Sequence, residues 1–303
     1  MTAAEHEKII AALEPPTGVV DMVLDTDTYN EIDDQFALAY AMHSPERLNV
    51  RAIYAAPFHN SRSSGPADGM EKSYDEILQL LGRMDVSPEG FVFKGSTRYL
   101  PSREEPVASA AVDDLIARSR EYNQEKRLYI VAIGAITNIA SALLKDPSLA
   151  ERSVVVWLGG HALYWPHTRE FNMHQDILAA NVVFDSGVPV VLVPCMPVAS
   201  HTTTTVPELE HDLGRKNDLS SFLIDRFTEH ASDHFARAKE VWDIAPIGWM
   251  INAAWAPSHL DHSPIVQEDH RYSIDRRRHF IRVVDELKRN DIFGDMFRKL
   301  RDR

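Results

Sequence analysis

Short apolar runs rich in β-branched residues alternate with stretches of helical periodicity along the first two thirds of the chain. The runs predict strands at residues 19–24, 50–55, 91–93, 128–133, 154–158 and 188–193. Between them, apolar positions three and four apart predict helices over 34–43, 70–81, 108–121, 138–144 and 176–185. Strands that are apolar throughout, rather than alternating, are buried on both faces, which means parallel pairing with helices on either side. Residues 217–239 then read as one long helix and 244–255 as a second, buried one. No repeat is visible, and no linker rich in Pro, Gly or Ser divides the chain. The expectation is one α/β domain over 1–303. It has a mainly parallel, Rossmann-like central sheet flanked by helices, and a helical C-terminal third.

One junction in this pattern is unusual. The apolar run 18–24 stops at Asp25, and Asp27, Glu31, Asp33 and Asp34 follow within nine residues. Apolar helical positions then resume at Phe36, Leu38, Ala39 and Met42. Strand, acidic loop and helix gather oxygen ligands at the carboxyl edge of a sheet, where open α/β folds bind ligands. Carboxylates this close repel one another unless a cation or a proton relieves them. N-capping and the helix dipole account for acids at 33 and 34, but not for Asp25, Asp27 and Glu31 as well. A metal site is the expectation. Hard oxygens without a His/Cys cluster suit calcium or magnesium, and several of them in a flexible loop favour calcium, Ca2+.

Composition narrows the partners. The 303 residues carry a formal charge of −13, which excludes general binding to nucleic acid or to an anionic membrane. Basic residues near the C-terminus, from Arg276 to Arg303, are interleaved with Asp285, Glu286, Asp291 and Asp295, as on a solvated helix face. Cys195 is the single cysteine and reads as a core residue at a strand end, so a multi-cysteine zinc site is excluded. Residues 1–18 hold acids and prolines but no apolar signal core, and nothing reaches the length of a membrane span. A cytoplasmic protein is expected.

Further polar groups fall where predicted strands stop. The second strand ends in Ala56-Pro-Phe-His-Asn60 and the fourth in Ala132-Ile-Gly-Ala-Ile-Thr-Asn138, whose glycine lets a backbone carbonyl face inward. The fifth ends in Gly159-Gly-His161 and leads to Glu170-Phe-Asn172, and Trp242-Asp243 opens an apolar helix far downstream. In a parallel sheet these loops share one edge and can converge on the acidic loop. A metal there would lower the pKa of a bound water, and a neighbouring carboxylate could take its proton. Asn60, Glu170 and Asn172 offer the mixed donors and acceptors that a polyol such as ribose needs. Glu170 and Asn172, two residues apart, are expected on one side of a strand.

Across most of its length the chain resembles the inosine–uridine-preferring nucleoside hydrolase family. The resemblance rests on Asp25-Thr-Asp27…Asp33-Asp34, which matches the family's DxDxxxDD loop with two extra residues before the pair. It rests also on Glu170-Phe-Asn172 and on the ITNIA segment at 136–140. It implies that Asp27, Asp34, the main-chain carbonyl of Ile133 and Asp243 hold calcium, and that Asp27 is the general base toward the metal-bound water. Asp33, Asn60, Glu170, Asn172 and Asp243 would grip the ribose hydroxyls, and Asn172 and Trp242 would complete the catalytic group. The implied reaction hydrolyses the N-glycosidic bond of a ribonucleoside or related ribosyl compound, giving free base and ribose through an oxocarbenium-like transition state. The implied partner is a small nucleoside-like molecule, and self-association as a dimer or tetramer is implied too.

The chain also departs from the family. Many members place a histidine immediately before the last calcium aspartate, as general acid for the leaving base, whereas Trp242 stands here. A purine-preferring subgroup has tryptophan there, which points to purine preference, with Trp165 or Phe58 on the other face of the base. His59, His161, His167 and His174 are the candidate acids. The inserted Asn30 and Glu31 would narrow the pocket or move the metal, and Tyr164 stands where an amide is expected to meet the ribose 5′ end. Two other readings compete. A metal-dependent phosphohydrolase would use clustered aspartates, but no evident Lys/Arg or Gly-rich phosphate cradle follows them. A non-catalytic nucleoside or sugar binder would have no need of Asp27.

Overall fold

The computed structural model describes residues 3–302. Strands β1 (Val20–Thr26), β2 (Leu48–Ala55), β3 (Val92–Lys94), β4 (Leu128–Ala132), β5 (Ser153–Leu158) and β6 (Val190–Val193) fall on the predicted runs. The later strands are β7 (Thr203–Thr204), β8 (Lys239–Glu240), β9 (Ser258–His262), β10 (Ile265–Val266), β11 (Tyr272–Ser273) and β12 (Phe280–Val284). Eight of them form one sheet in the order β3-β2-β1-β4-β5-β6-β12-β9. Every pair is parallel except the edge pair β12–β9.

Side chains alternate across this sheet, so both faces need cover. Leu24, Val131, Val156 and Val191 pack into one apolar layer, and Val23, Ile130, Val155 and Val190 into the other. Trimming Ile130, which is fully buried, to alanine would cost about 2–5 kcal/mol. The helix Asp34–Met42 is buried along nearly its whole length and packs on Ile244–Ile251. That is why its sequence lacks a polar face.

The order reverses at β1, which has β2 on one side and β4 on the other. Such a switch point leaves a crevice beyond the strand ends. Asp25 of β1 lies in register with Ala132 of β4, so the acidic loop and the loop that opens at Ile133 flank that crevice together.

The C-terminal third corrects the sequence reading. It is not wholly helical: β9 and β12 come from it and extend the main sheet. Their apolar signal is short, and β9 sits at an edge with half-exposed residues, so alternation is weak. The long helix predicted over 217–239 ends at Thr228. Beyond it the chain turns, with Ala236 at φ 52°, and Lys239–Glu240 pair antiparallel with Thr203–Thr204. The helix predicted over 244–255 stops at Ile251, where Asn252 turns extended and its side chain caps a short 3-10 turn by accepting from the Ala254 N–H at 3.1 Å. Among the described residues no helix is long and apolar enough to cross a membrane.

Candidate functional site

The end of β1 delivers a set of buried carboxylates. Asp25 accepts from the Asn138 side-chain amide at 2.8 Å, so the ITNIA segment meets the acidic loop directly. Thr26 donates to Asp34 at 2.6 Å. Asp33 stands at the N-cap of Asp34–Met42 without capping it; it accepts the Trp242 main-chain N–H at 2.9 Å instead. Oxygens of Asp33, Asp34 and Asp243 lie within 4.8 Å of one another. Both carboxylate oxygens of Asp27 are buried without any hydrogen-bond partner. A Cβ at Gly134 would fall 3.1 Å from the Asp27 carboxyl, so any side chain there would crowd Asp27. Its own carbonyl accepts from the Trp157 indole at 3.2 Å.

Burial, joined by repulsion from neighbouring carboxylates at Asp27, Asp33 and Asp243, lifts these carboxyls above their ordinary range. Burial pushes Asp25 up to about 7. Burial together with Glu31 and Asp34 pushes Asp33 up to about 8. Asp34 rises to about 6 by burial, held back by hydrogen bonds from Thr26 and Asp243. Asp27 and Asp243 rise for the same reasons, each with the other aspartates around it. Unpartnered oxygens on a buried carboxylate are expensive unless something positive meets them. The donor set is all oxygen, and it fits a hard divalent cation.

The β4 and β5 ends supply the opposite wall. The Asn172 amide donates to the carbonyls of Ile133 (3.2 Å) and Leu158 (3.0 Å). Glu170 and Asn172 do not lie on a strand, as their spacing suggested. Glu170 is the N-cap of the short helix Phe171–Gln175 and accepts the N–H groups of Asn172 and Met173. It also accepts Gly160 N–H at 2.7 Å. Three fixed N–H donors aim this carboxylate, so the two residues converge through a helix cap.

A cleft of about 370 Å3 opens over these groups. Its lining brings together Asp33, Ile133, Glu170, Asn172, Trp242 and Asp243, all singled out from the sequence. Asp27 and Asp34 are fully buried within the cluster and do not line the cleft. Asn60 stands one residue back: its amide donates to the Asn30 side-chain oxygen at 2.7 Å, and it is Asn30 that lines the cleft. Of the four histidines, only His161 does so. His59 is exposed, His167 is exposed beside His161, and His174 pairs with His270 at 2.6 Å. Phe58 is fully buried in the core, Trp165 touches His161 edge-on, and Tyr164 is 77% exposed. Cys195, Met196 and Glu240 complete the wall; strand-end position was the only sequence signal for the first two.

The inserted loop is clamped from outside. Arg62 lies over the Tyr29 ring at 4.6 Å, and Lys239 reaches Glu31 at 2.8 Å. Gln35 donates to the Thr28 carbonyl at 2.7 Å and to Glu76 at 3.2 Å. Glu76 is fully buried and receives a two-point contact from Arg226 at 2.7 and 2.9 Å. Sequence reasoning missed this support. The available signal was Glu76 itself, which shares the buried stripe of its helix with Ser73, Ile77 and Leu80.

Comparison with known proteins agrees with the geometry. The profile of the inosine-uridine preferring nucleoside hydrolase family matches residues 22–292. The pyrimidine-specific ribonucleoside hydrolase RihA of Citrobacter koseri is 28% identical over 248 residues, covering 74% of this chain and 75% of its own. Among solved structures, a purine-preferring ribonucleoside hydrolase from Gardnerella vaginalis superposes with a TM-score of 0.73 at 20% identity, covering 93% of this chain and 98% of its own. A plant nucleoside hydrolase gives 0.72 at 20% identity, covering 94% and 99%.

Proposed function

Because the chain belongs to the inosine-uridine preferring nucleoside hydrolase family and is an N-ribosyl hydrolase, we propose that the cleft at the β1/β4 switch point is where it cleaves ribonucleosides. The single observation that supports this most is the pair of orphaned Asp27 oxygens beside the Asp33, Asp34 and Asp243 cluster. Asp27, Asp34, Asp243 and the Ile133 carbonyl would hold a divalent cation, which we take to be calcium because every ligand is oxygen. Such a cation supplies Lewis acidity that makes water a better nucleophile at neutral pH.

The chain's own groups do the rest. Asp27 has a free carboxylate oxygen with which to take a water proton. Glu170, fixed by three N–H donors, presents a rigid acceptor to ribose hydroxyls. Asp33, Asn172 and Asp243 line the same wall and orient the sugar, with Asn60 acting through Asn30. Their summed negative charge favours a ribosyl group that becomes cationic as the bond breaks. Trp242 offers its indole to the departing base. The purine preference expected from that indole stands against the pyrimidine-specific name of the RihA relatives. A panel of purine and pyrimidine nucleosides, assayed for free base with calcium and again with chelator, decides the base and tests the cation. Release insensitive to chelator would remove the metal from the reading. Phosphate release from phosphomonoesters would favour the phosphohydrolase alternative. Cytoplasmic location and assembly as a dimer or tetramer complete the proposal.

A further inference from the structure

We propose that the preferred substrates are N-ribosyl compounds already cationic at the glycosidic nitrogen, such as a ribosyl pyridinium or an N-alkylated purine riboside. The inference rests on the hydrolase reading above and names its substrate class.

The first ground is the missing proton donor at the base end. A neutral base departs as an anion unless it is protonated, and the described residues around the cleft are poorly arranged to do that. Trp242 has only an indole N–H, which donates a hydrogen bond but does not ionise in this range. The His161 Nδ1 lies 3.2 Å from the Met196 main-chain N–H, from which it accepts. Burial and neighbouring His167 hold the imidazole down to about 4, so it is uncharged at neutral pH. The Lys239 ammonium is taken up by Glu31 at 2.8 Å, with Glu240 at 3.9 Å. Burial first, and the neighbouring Glu170 carboxylate second, push the Cys195 thiol well above its ordinary range, which makes it a poor acid.

The second ground is charge. Once a cation at the cluster keeps the aspartates ionised, Glu31, Asp33, Glu170, Glu240 and Asp243 line the cleft as carboxylates and none of them is a proton donor. Lys239 offsets one of them, and a divalent cation at the cluster must also serve Asp27 and Asp34. An acidic cleft with low-dielectric walls concentrates cations. The third ground is the indole itself. Lys239 sits 5.9 Å from the Trp242 ring centroid, so this ring already tolerates a cation at its side.

The chemistry balances without an acid at the base. The C1′–N bond breaks and its electron pair passes to the ring nitrogen, cancelling the positive charge. The water oxygen bonds to C1′, and the water proton passes to the Asp27 carboxylate and then to solvent. The products are ribose, a neutral heterocycle and a proton.

The test compares kcat/KM of the full-length protein with added calcium on nicotinamide riboside, uridine, inosine and p-nitrophenyl riboside. The last is neutral but leaves without protonation. We expect nicotinamide riboside to exceed uridine and inosine by 100-fold or more, and its KM alone to rise with salt. Trp242→Leu should raise that KM roughly 5- to 30-fold, the span of a desolvated cation–π contact, and by more than it raises the KM for p-nitrophenyl riboside. Uridine or inosine cleaved as efficiently as nicotinamide riboside would overturn the inference and leave the hydrolase reading intact. Failure to cleave any of the four, p-nitrophenyl riboside included, would overturn the hydrolase reading itself.

Discussion

The side-chain amide of Asn172 donates to the main-chain carbonyl of Ile133 at 3.2 Å while also donating to that of Leu158 at 3.0 Å. One amide thereby ties the ends of β4 and β5 together. A carbonyl oxygen has a second lone pair, so the cation proposed above would take the other Ile133 lone pair while Asn172 fixes its direction. Replacing Asn172 with alanine leaves both buried carbonyls a partner short, a loss of about 1–3 kcal/mol. Calcium affinity and turnover should fall together. Calorimetric titration that finds parental calcium affinity in Asn172→Ala would remove this positioning role.

Asp27→Asn separates chemistry from folding. The native oxygens accept no hydrogen bond, and the amide removes a charge from a self-repelling cluster. Without added metal the variant should melt no lower than the parent, and base release should drop by about 10³-fold, within the range for losing a general base. Activity within tenfold of the parent would refute the site.

Metal and pH are linked through the same carboxylates. Asp25, Asp33 and Asp34 have folded-state values of about 7, 8 and 6 against an ordinary 3.8. The folded chain therefore binds more protons than the unfolded one across that window. In chelator, their contribution is fully present below the unfolded value and is lost as pH rises through 6 to 8. Stability in chelator should thus increase as pH falls from 8 to 6.5, whereas bound calcium should flatten the trend. Denaturant melts at both pH values, with and without calcium, check it; parallel profiles would show that no cation binds here.

Further acid should act the other way. Burial holds His161 and His279 down to about 4, from an ordinary 6.5. Their neutral forms stabilise the fold above 6.5, and that contribution is lost as pH falls through 4. His279→Gln should shallow the loss in calcium-loaded protein between pH 6.5 and 4. An unchanged slope would mean that His279 titrates normally.

The Glu76–Arg226 contact should govern the inserted loop. Arg226→Leu leaves a fully buried carboxylate without its cation, a loss of roughly 3 kcal/mol. Because Gln35 bridges Glu76 to the Thr28 carbonyl, protease cutting near Tyr29 should also accelerate. A stable variant with an unchanged digestion pattern would show that the clamp is not needed.

Local signals in the sequence were enough for the six parallel strands of the first two thirds, because β4, β5 and β6 are buried throughout and the buried stretches of β1 and β2 read as apolar runs, with β3 a short apolar edge segment. The acidic loop was legible for another reason: N-capping and the helix dipole account for Asp33 and Asp34, but not for Asp25, Asp27 and Glu31 as well. Asp33, Glu170, Asn172, Trp242 and Asp243 were singled out one by one, from position and from resemblance, and all five line the cleft. Weakly patterned edges were not legible. Strand β9 is half exposed and gave no clear alternation, and the helix ending at Thr228 continues into a sequence that keeps helical composition without helical contacts.

Tertiary structure alone decided which polar groups face one another. Asn60 was expected at the ribose, yet pairs with Asn30, because the inserted residues fill the intervening space. Glu170 reaches the site through a helix cap rather than a strand, and of four histidines only His161 opens on the cleft. Hydrogen bonds between residues far apart in the chain, such as Asn138 to Asp25, depend on strand order, which no local periodicity encodes. Local residue patterns carried the strands of the first two thirds and the inventory of chemistry. The packing of β1 beside β4 decided which members of that inventory meet, since only the sheet's switch point brings their loops to one edge.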